Sequence, residues 1–189
     1  PWQMRMAGSR ALAAFPYRYL VRGGHDALYS KFPIRAARTQ WDADPTMAPT
    51  TVAMLDVDGR PLKILLAHPW PPVNEKLWHL QQQQFRSWAA GKPRSGESMI
   101  LVGDLNATPW CVGFRRIEEG TGLTDVRLSG GLNPSWPSTH PWWRIPIDHV
   151  LVSRDIDVEA VRIGAPTGSD HLPVVVDFTV PVGTQQTGR

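Results

Sequence analysis

The sequence predicts an α/β domain in which two packed β-sheets are covered by helices. Strand-length segments rich in apolar and β-branched residues outnumber helical ones. The run Met99–Val102 is continuously apolar, as a strand buried on both faces must be. Helical stretches flank these strands, and layers of this kind pack around a shared core.

Taken in order, residues 7–14 read as the end of a helix, and Tyr17–Arg22 as a strand rich in aromatic and branched residues. Gly23-Gly24 reads as a turn. Residues 27–37 read as an extended segment interrupted at Pro33. Residues 50–57 and 61–67 form a hairpin around Asp58-Gly59, a dipeptide suited to tight hairpin turns. Asn74 is a good helix cap, and Leu77, Leu80, Gln84, Phe85 and Trp88 follow at helical spacing, so a helix runs to about Ala90. A short helix over 110–119 follows Thr108-Pro109. The segment 120–146, rich in Gly, Pro and Trp, reads as a long loop of the kind that carries function. Residues 147–152, 158–163 and 174–180 read as closing strands, and the residues from Gly183 as a frayed tail. The predicted domain is therefore 1–182, with a tail at 183–189.

Bulk properties narrow the choices. The chain has 189 residues, 42% hydrophobic and 20% charged, which suits one globular domain with a sizeable core. Its net charge of +3 favours anionic partners only weakly, and no basic run is long enough to mark a nucleic-acid tail. Cys111 is the sole cysteine, which excludes an intrachain disulfide. No stretch of about 18 apolar residues is present. Walker-type phosphate loops, Cys/His zinc spacings and a Gly-x-Ser-x-Gly elbow are all missing from the sequence.

Chemistry concentrates at strand ends. Asp104 and Asn106 follow the 99–102 strand two residues apart, a spacing that turns both to one side of an extended chain. An Asp carboxylate there can orient and deprotonate a water, and an Asn amide can hold a phosphate oxygen or a metal. The same Gly-Asp-Leu-Asn run also suits a self-capped turn. Asp148 opens the strand that ends at Val152, and a carboxylate there needs a partner. Asp170-His171 lies between Gly168-Ser169 and a Pro-led strand; Asp170 suits a metal, and His171 a phosphate oxygen. An Asp paired with a His ring fixes its tautomer and favours the imidazolium. His149 faces away from its neighbour Asp148 and reads as structural. His68 ends the second hairpin strand and gains meaning only if it meets these groups. His25, His79 and His140 show no pattern. Trp110, Trp136, Trp142 and Trp143 crowd the proposed mouth; they suit stacking on a base or sugar, contact with lipid, or covering a small core of their own loop. Cys111 is near in sequence but lacks a dedicated base.

In order, His68-Pro69, the run Gly103-Asp104-Leu105-Asn106-Ala107-Thr108-Pro109, the run Ile147-Asp148-His149-Val150 and the run Ser169-Asp170-His171-Leu172-Pro173 resemble the endonuclease/exonuclease/phosphatase superfamily. Tyr29-Ser30-Lys31-Phe32-Pro33-Ile34 also resembles an early strand of that family. The likeness covers residues 12–180. It implies a four-layer α/β sandwich of two mixed sheets and Mg²⁺- or Mn²⁺-dependent phosphoester hydrolysis. By position, it implies that Asp104 activates the attacking water and that Asn106 holds the phosphate and that carboxylate. His171, supported by Asp148, would stabilise transition-state charge. His68 would contact the phosphate or assist the leaving oxygen. The implied metal ligands are Asp170, Asp104 and Asn106. The family's strand-borne Asn and its metal-ligating Glu have no counterpart before Tyr17, and Glu75 and Glu97 lie in the wrong elements to replace that Glu. The expectation is an N-terminally shortened piece of a longer protein. The alternatives are a catalytically impaired fragment or a binding module that lacks the metal-ligating Glu, and a sphingomyelinase-like lipid phosphodiesterase or inositol phosphate phosphatase. Nucleic acid is a candidate substrate, and a membrane tether of the parent protein a candidate partner.

Overall fold

The computed structural model describes residues 10–21, 26–41, 46–127 and 131–181. The expected Gly23-Gly24 turn and the tail from Gly183 lie outside these residues, as does His25. Of the expected N-terminal helix, residues 7–9 lie outside the described residues and Arg10–Ala14 is a short 3₁₀ turn, with Pro16 just beyond it; the residue before a proline is pushed away from helical angles. Strand β1 spans Tyr17–Leu20 and pairs antiparallel with β2, Ala27–Ser30. Pro33 separates β2 from β3, Ile34–Gln40. Strands β4, Thr50–Val57, and β5, Arg60–Leu66, form the expected hairpin. Asp58 (φ 51°) and Gly59 (φ 85°) both take the positive φ that a tight two-residue hairpin turn requires.

Helix α1 spans Glu75–Ala89, with the Asn74 side chain accepting from the Leu77 N–H at 2.9 Å. Strand β6 is Ser98–Asp104, and helix α2, Val112–Thr121, ends on Gly122 in the left-handed region. Strands β7, Thr124–Asp125; β8, Asp148–Val152; β9, Asp157–Ile163; and β10, Val174–Thr179, complete the order. Part of the expected long loop is thus structured: β7 sits in it, and a 3₁₀ turn covers Pro141–Trp143.

The main sheet is mixed and six-stranded, in the order β3-β4-β5-β6-β8-β7, with β5 and β6 parallel. Its two faces bury two cores. Phe85 and Trp88 of α1 and Phe114 and Ile117 of α2 pack on one face against Leu101, Leu105 and Leu151. The other face carries Ile64, Ile100 and Val150 against side chains of β2, β9 and β10. The apolar run of β6 lies between these layers, as its composition requires. The result is an α/β sandwich with carboxylates at the adjoining ends of β6 and β8.

Candidate active site

Residues Asp104 and Asp148 are direct cross-strand partners, because β6 runs antiparallel to β8 in that register. This brings two carboxylates from distant parts of the chain to one sheet end. The Leu105 N–H donates to the Ile147 carbonyl at 2.9 Å, and the Leu105 side chain is fully buried. Asn106 follows with φ 49°, a conformation Asn tolerates better than most residues. Its N–H donates to Asp104 Oδ1 at 2.8 Å, and its side-chain amide donates to the Pro69 carbonyl at 3.0 Å. From α1, the Gln81 amide donates to the Leu105 carbonyl at 3.2 Å and the Asn106 carbonyl at 3.0 Å. The turn after β6 is therefore tied to three separate parts of the fold.

Gly103 makes the arrangement sterically feasible. Its φ is +153°, and a Cβ there would stand 1.9 Å from the Ala67 carbonyl oxygen. The close approach places Asp104 beside His68. Gly103→Ala is expected to lower stability by about 3 kcal/mol through strain and overpacking. Urea unfolding measures it, and a change within error would mean that β5 and β6 can separate freely here.

The loop before β10 brings in an imidazole. His171 Nδ1–H donates to Asp148 Oδ2 at 2.8 Å, and its Nε2 lies 3.7 Å from Asp104 Oδ2. His68 Nε2 approaches the same Asp104 oxygen at 3.8 Å, with Asp26 Oδ1 3.9 Å from its Nδ1. Ser135 Oγ also donates to Asp148 Oδ2. Ligand atoms of Asp104, Asp148 and His171 all lie within 4.8 Å of one another. A cleft of about 330 Å³ opens on Gly103, Asp104, Asp148 and His171, and a second of about 230 Å³ opens on Asp26, His68 and Asp104. Asp104 stands in the wall of both.

Electrostatics separates the roles. Burial pushes the Asp104 carboxyl above the usual Asp range, and the neighbouring Asp148 charge adds to this; the Asn106 N–H and the two imidazoles only partly offset it. Burial acts on Asp148 in the same sense, but hydrogen bonds from His171 and Ser135 outweigh it and hold this carboxyl low. The Asp148 hydrogen bond raises His171 above the ordinary imidazole value against the opposing effect of burial, helped by the charges of Asp148, Asp104 and Asp170. The site thus combines a carboxylate that accepts protons more readily than usual with a stabilised imidazolium.

The structure brings Asp104, Asn106, Asp148, His171 and His68 together. Asp170 is exposed on the rim and lies outside the three-residue cluster, acting on His171 through its charge. His149 faces the opposite side of the sheet: its Nε2–H donates to the Ala107 carbonyl at 2.7 Å, and its ring packs on Phe114. Cys111 packs against the helix-side core. Trp142 and Trp143 are 95% and 77% exposed, so they do not cover a core of their own loop, whereas Trp136 lies 6.3 Å from the His171 ring. Ser135 and Asp26 were not legible as site residues, since neither belongs to a local pattern and both meet the site only through the fold.

Known proteins bear on this geometry. The sequence matches the Endonuclease/Exonuclease/phosphatase family over residues 4–171. Among solved structures, the fold is similar to an endonuclease/exonuclease/phosphatase from Beutenbergia cavernae, with TM-score 0.72, 18% identity, 94% of this chain covered and 57% of that one. It is also similar to a humanized D. rerio TDP2, with TM-score 0.69, 13% identity and coverage of 95% and 82%. Sphingomyelinase C from Streptomyces griseocarneus has TM-score 0.61, 16% identity and coverage of 88% and 78%. The chain spans just over half the length of the first of these. No curated protein sequence matches it. The family match covers most of the chain, and the fold agrees with it: this chain belongs to the endonuclease/exonuclease/phosphatase family.

Proposed function

We propose that the chain carries the hydrolytic centre of a metal-assisted phosphoesterase. The observation that carries this reading is Asp104 Oδ2 standing between two imidazoles, His171 at 3.7 Å and His68 at 3.8 Å. Asp104 orients a water and takes its proton as the oxygen attacks phosphorus. His171, as an imidazolium held by Asp148, donates from Nε2 to a phosphoryl oxygen where negative charge grows. His68 lies on the other side of Asp104, in reach of the departing ester oxygen or of the phosphate. Asn106 fixes Asp104 through its N–H and keeps its carboxamide oxygen as an acceptor-type ligand.

The donor set suits an oxygen-seeking divalent cation such as Mg²⁺ or Mn²⁺, which takes one or two carboxylates and completes its shell with water and phosphate oxygens. Asp104 and Asn106 would hold it, with Asp170 adding negative charge at the rim. Asp148 Oδ2 already accepts from His171 and Ser135, and a protonated His171 is no ligand, so these two serve better as the charge-stabilising pair. A bound cation would polarise the phosphoryl group and neutralise its charge.

The test is an assay of simple phosphomonoesters and diesters, DNA and phospholipid vesicles with Mg²⁺ or Mn²⁺ across pH. Metal-stimulated turnover of at least one substrate is expected, with a bell-shaped kcat/KM profile. Its acid limb reports protonation of Asp104, which must be ionised to accept the proton of the water. Its alkaline limb falls above the ordinary His value, because His171 must be protonated and its imidazole is raised. Binding of substrate without turnover of any of them would reassign the chain to a binding module. Preference for vesicles over soluble esters would favour a lipid substrate met through Trp142 and Trp143.

A further inference from the structure

We propose that Ser135 is a positioning residue for the Asp148–His171 pair, and that the Trp-bearing loop acts on the site through it. This rests on the reading of the site as a phosphoesterase centre. Ser135 is fully buried although it belongs to a segment that reads as surface loop. Its Oγ donates to Asp148 Oδ2, the same oxygen that receives the His171 ring proton. Its carbonyl accepts from the Leu172 N–H at 2.9 Å, one residue past His171. One residue therefore grips the carboxylate with its side chain and the histidine's loop with its backbone.

The grip continues along both segments. The Ser138 N–H donates to the Asp170 carbonyl at 2.7 Å, and Ser138 Oγ donates to the Ser169 carbonyl at 2.8 Å. Arg144 Nη2 donates to the Ser138 carbonyl at 2.7 Å, and Trp136 and Ile145 form an antiparallel bridge. Residues 135–138 thus lie as a strap beside 169–172. A carboxylate oxygen with two donors is fixed in direction as well as in charge. Losing the Ser135 hydroxyl leaves Asp148 held by His171 alone and free to turn, and His171 then no longer points Nε2 at Asp104.

The experiment compares Ser135→Ala and Ser135→Thr with the parent chain. It reads kcat and KM on the best phosphoester together with the ¹H NMR line of the His171 Nδ1 proton, assigned by its disappearance in His171→Gln. Ser135→Ala is expected to lower kcat by about tenfold to a hundredfold with KM and melting temperature little changed, the size of effect that slight misplacement of a catalytic group produces. The Nδ1 proton line should broaden or vanish through faster exchange with water. Ser135→Thr, which keeps the hydroxyl, should recover most of both. Parent-like kcat and an unchanged line in Ser135→Ala would overturn the proposal. If the parent chain hydrolyses nothing, the phosphoesterase reading fails on its own, and the response of the proton line alone decides the role of Ser135.

Discussion

Replacing Asp104 by Asn should lower kcat by about a thousandfold while changing KM little, since the loss falls on a group that acts as proton acceptor in the transition state. Asn keeps the size of Asp, and its carboxamide oxygen can still accept from the Asn106 N–H that now bonds Asp104 Oδ1 at 2.8 Å. The turn after β6 should therefore survive, held also by Gln81 and by the Leu105 N–H to Ile147. Removing the charge also removes the like-charge contact with Asp148, so the variant should melt no lower than the parent. His171→Gln should give a loss of similar size, and the double variant little more, because residues acting as a unit are not additive. Steady-state kinetics with circular dichroism melts check both. A folded Asp104→Asn variant with parent-like kcat would remove Asp104 from the chemistry.

Much of this site could be read from local pattern. Strand β6 announces itself as a short apolar run, and the polar groups just past it have to sit at a sheet end. The same holds for Asp148 ahead of its apolar strand and for Asp170-His171 ahead of β10. Their convergence was not legible from spacing. It depends on the antiparallel register that sets Asp104 opposite Asp148, which no local pattern carries. Ser135 escaped because its significance lies in burial and in two long-range bonds. Strand β7 escaped because two residues are too few to show a period. In α1, the helical spacing is plain, but spacing does not reveal that the amides of Gln81 and Gln84 reach acceptors in the Asn106 turn and at Ala48. The tryptophans show the opposite problem: composition marked them as unusual, and only the solvent exposure of Trp142 and Trp143 separated a surface role from packing.

The largest stability effect belongs to a cluster on the other side of the sheet. Asp125 ends the short β7, Arg127 follows two residues later, and both are buried. Arg127 Nε donates to the two Asp125 oxygens at 3.2 and 3.1 Å, its backbone N–H donates to Oδ1 at 3.1 Å, and its Nη2 contacts both Asp125 and His149. His149 in turn holds the Ala107 carbonyl, next to Asn106. Burial alone would raise the Asp125 carboxyl, but the His149 ring beside it and the hydrogen bonds and charge of Arg127 bring it below the ordinary Asp value. A lowered folded pKa contributes stability that is present above the unfolded value and is lost as pH falls through the folded one. Asp125→Ala is therefore expected to cost about 3–5 kcal/mol at neutral pH, because it strands a buried guanidinium. That is a large share of the roughly 5–15 kcal/mol that holds a domain together. Its unfolding free energy should also depend less on pH in the acid range than the parent's. Replacing the pair together, Asp125→Leu with Arg127→Met, should recover most of the loss, since the cost lies in the unpaired charge and not in the missing bridge. Urea unfolding of the three chains decides the point. A single variant within about 1 kcal/mol of the parent would mean that water reaches Arg127 and that the cluster is not the buried ion pair drawn here.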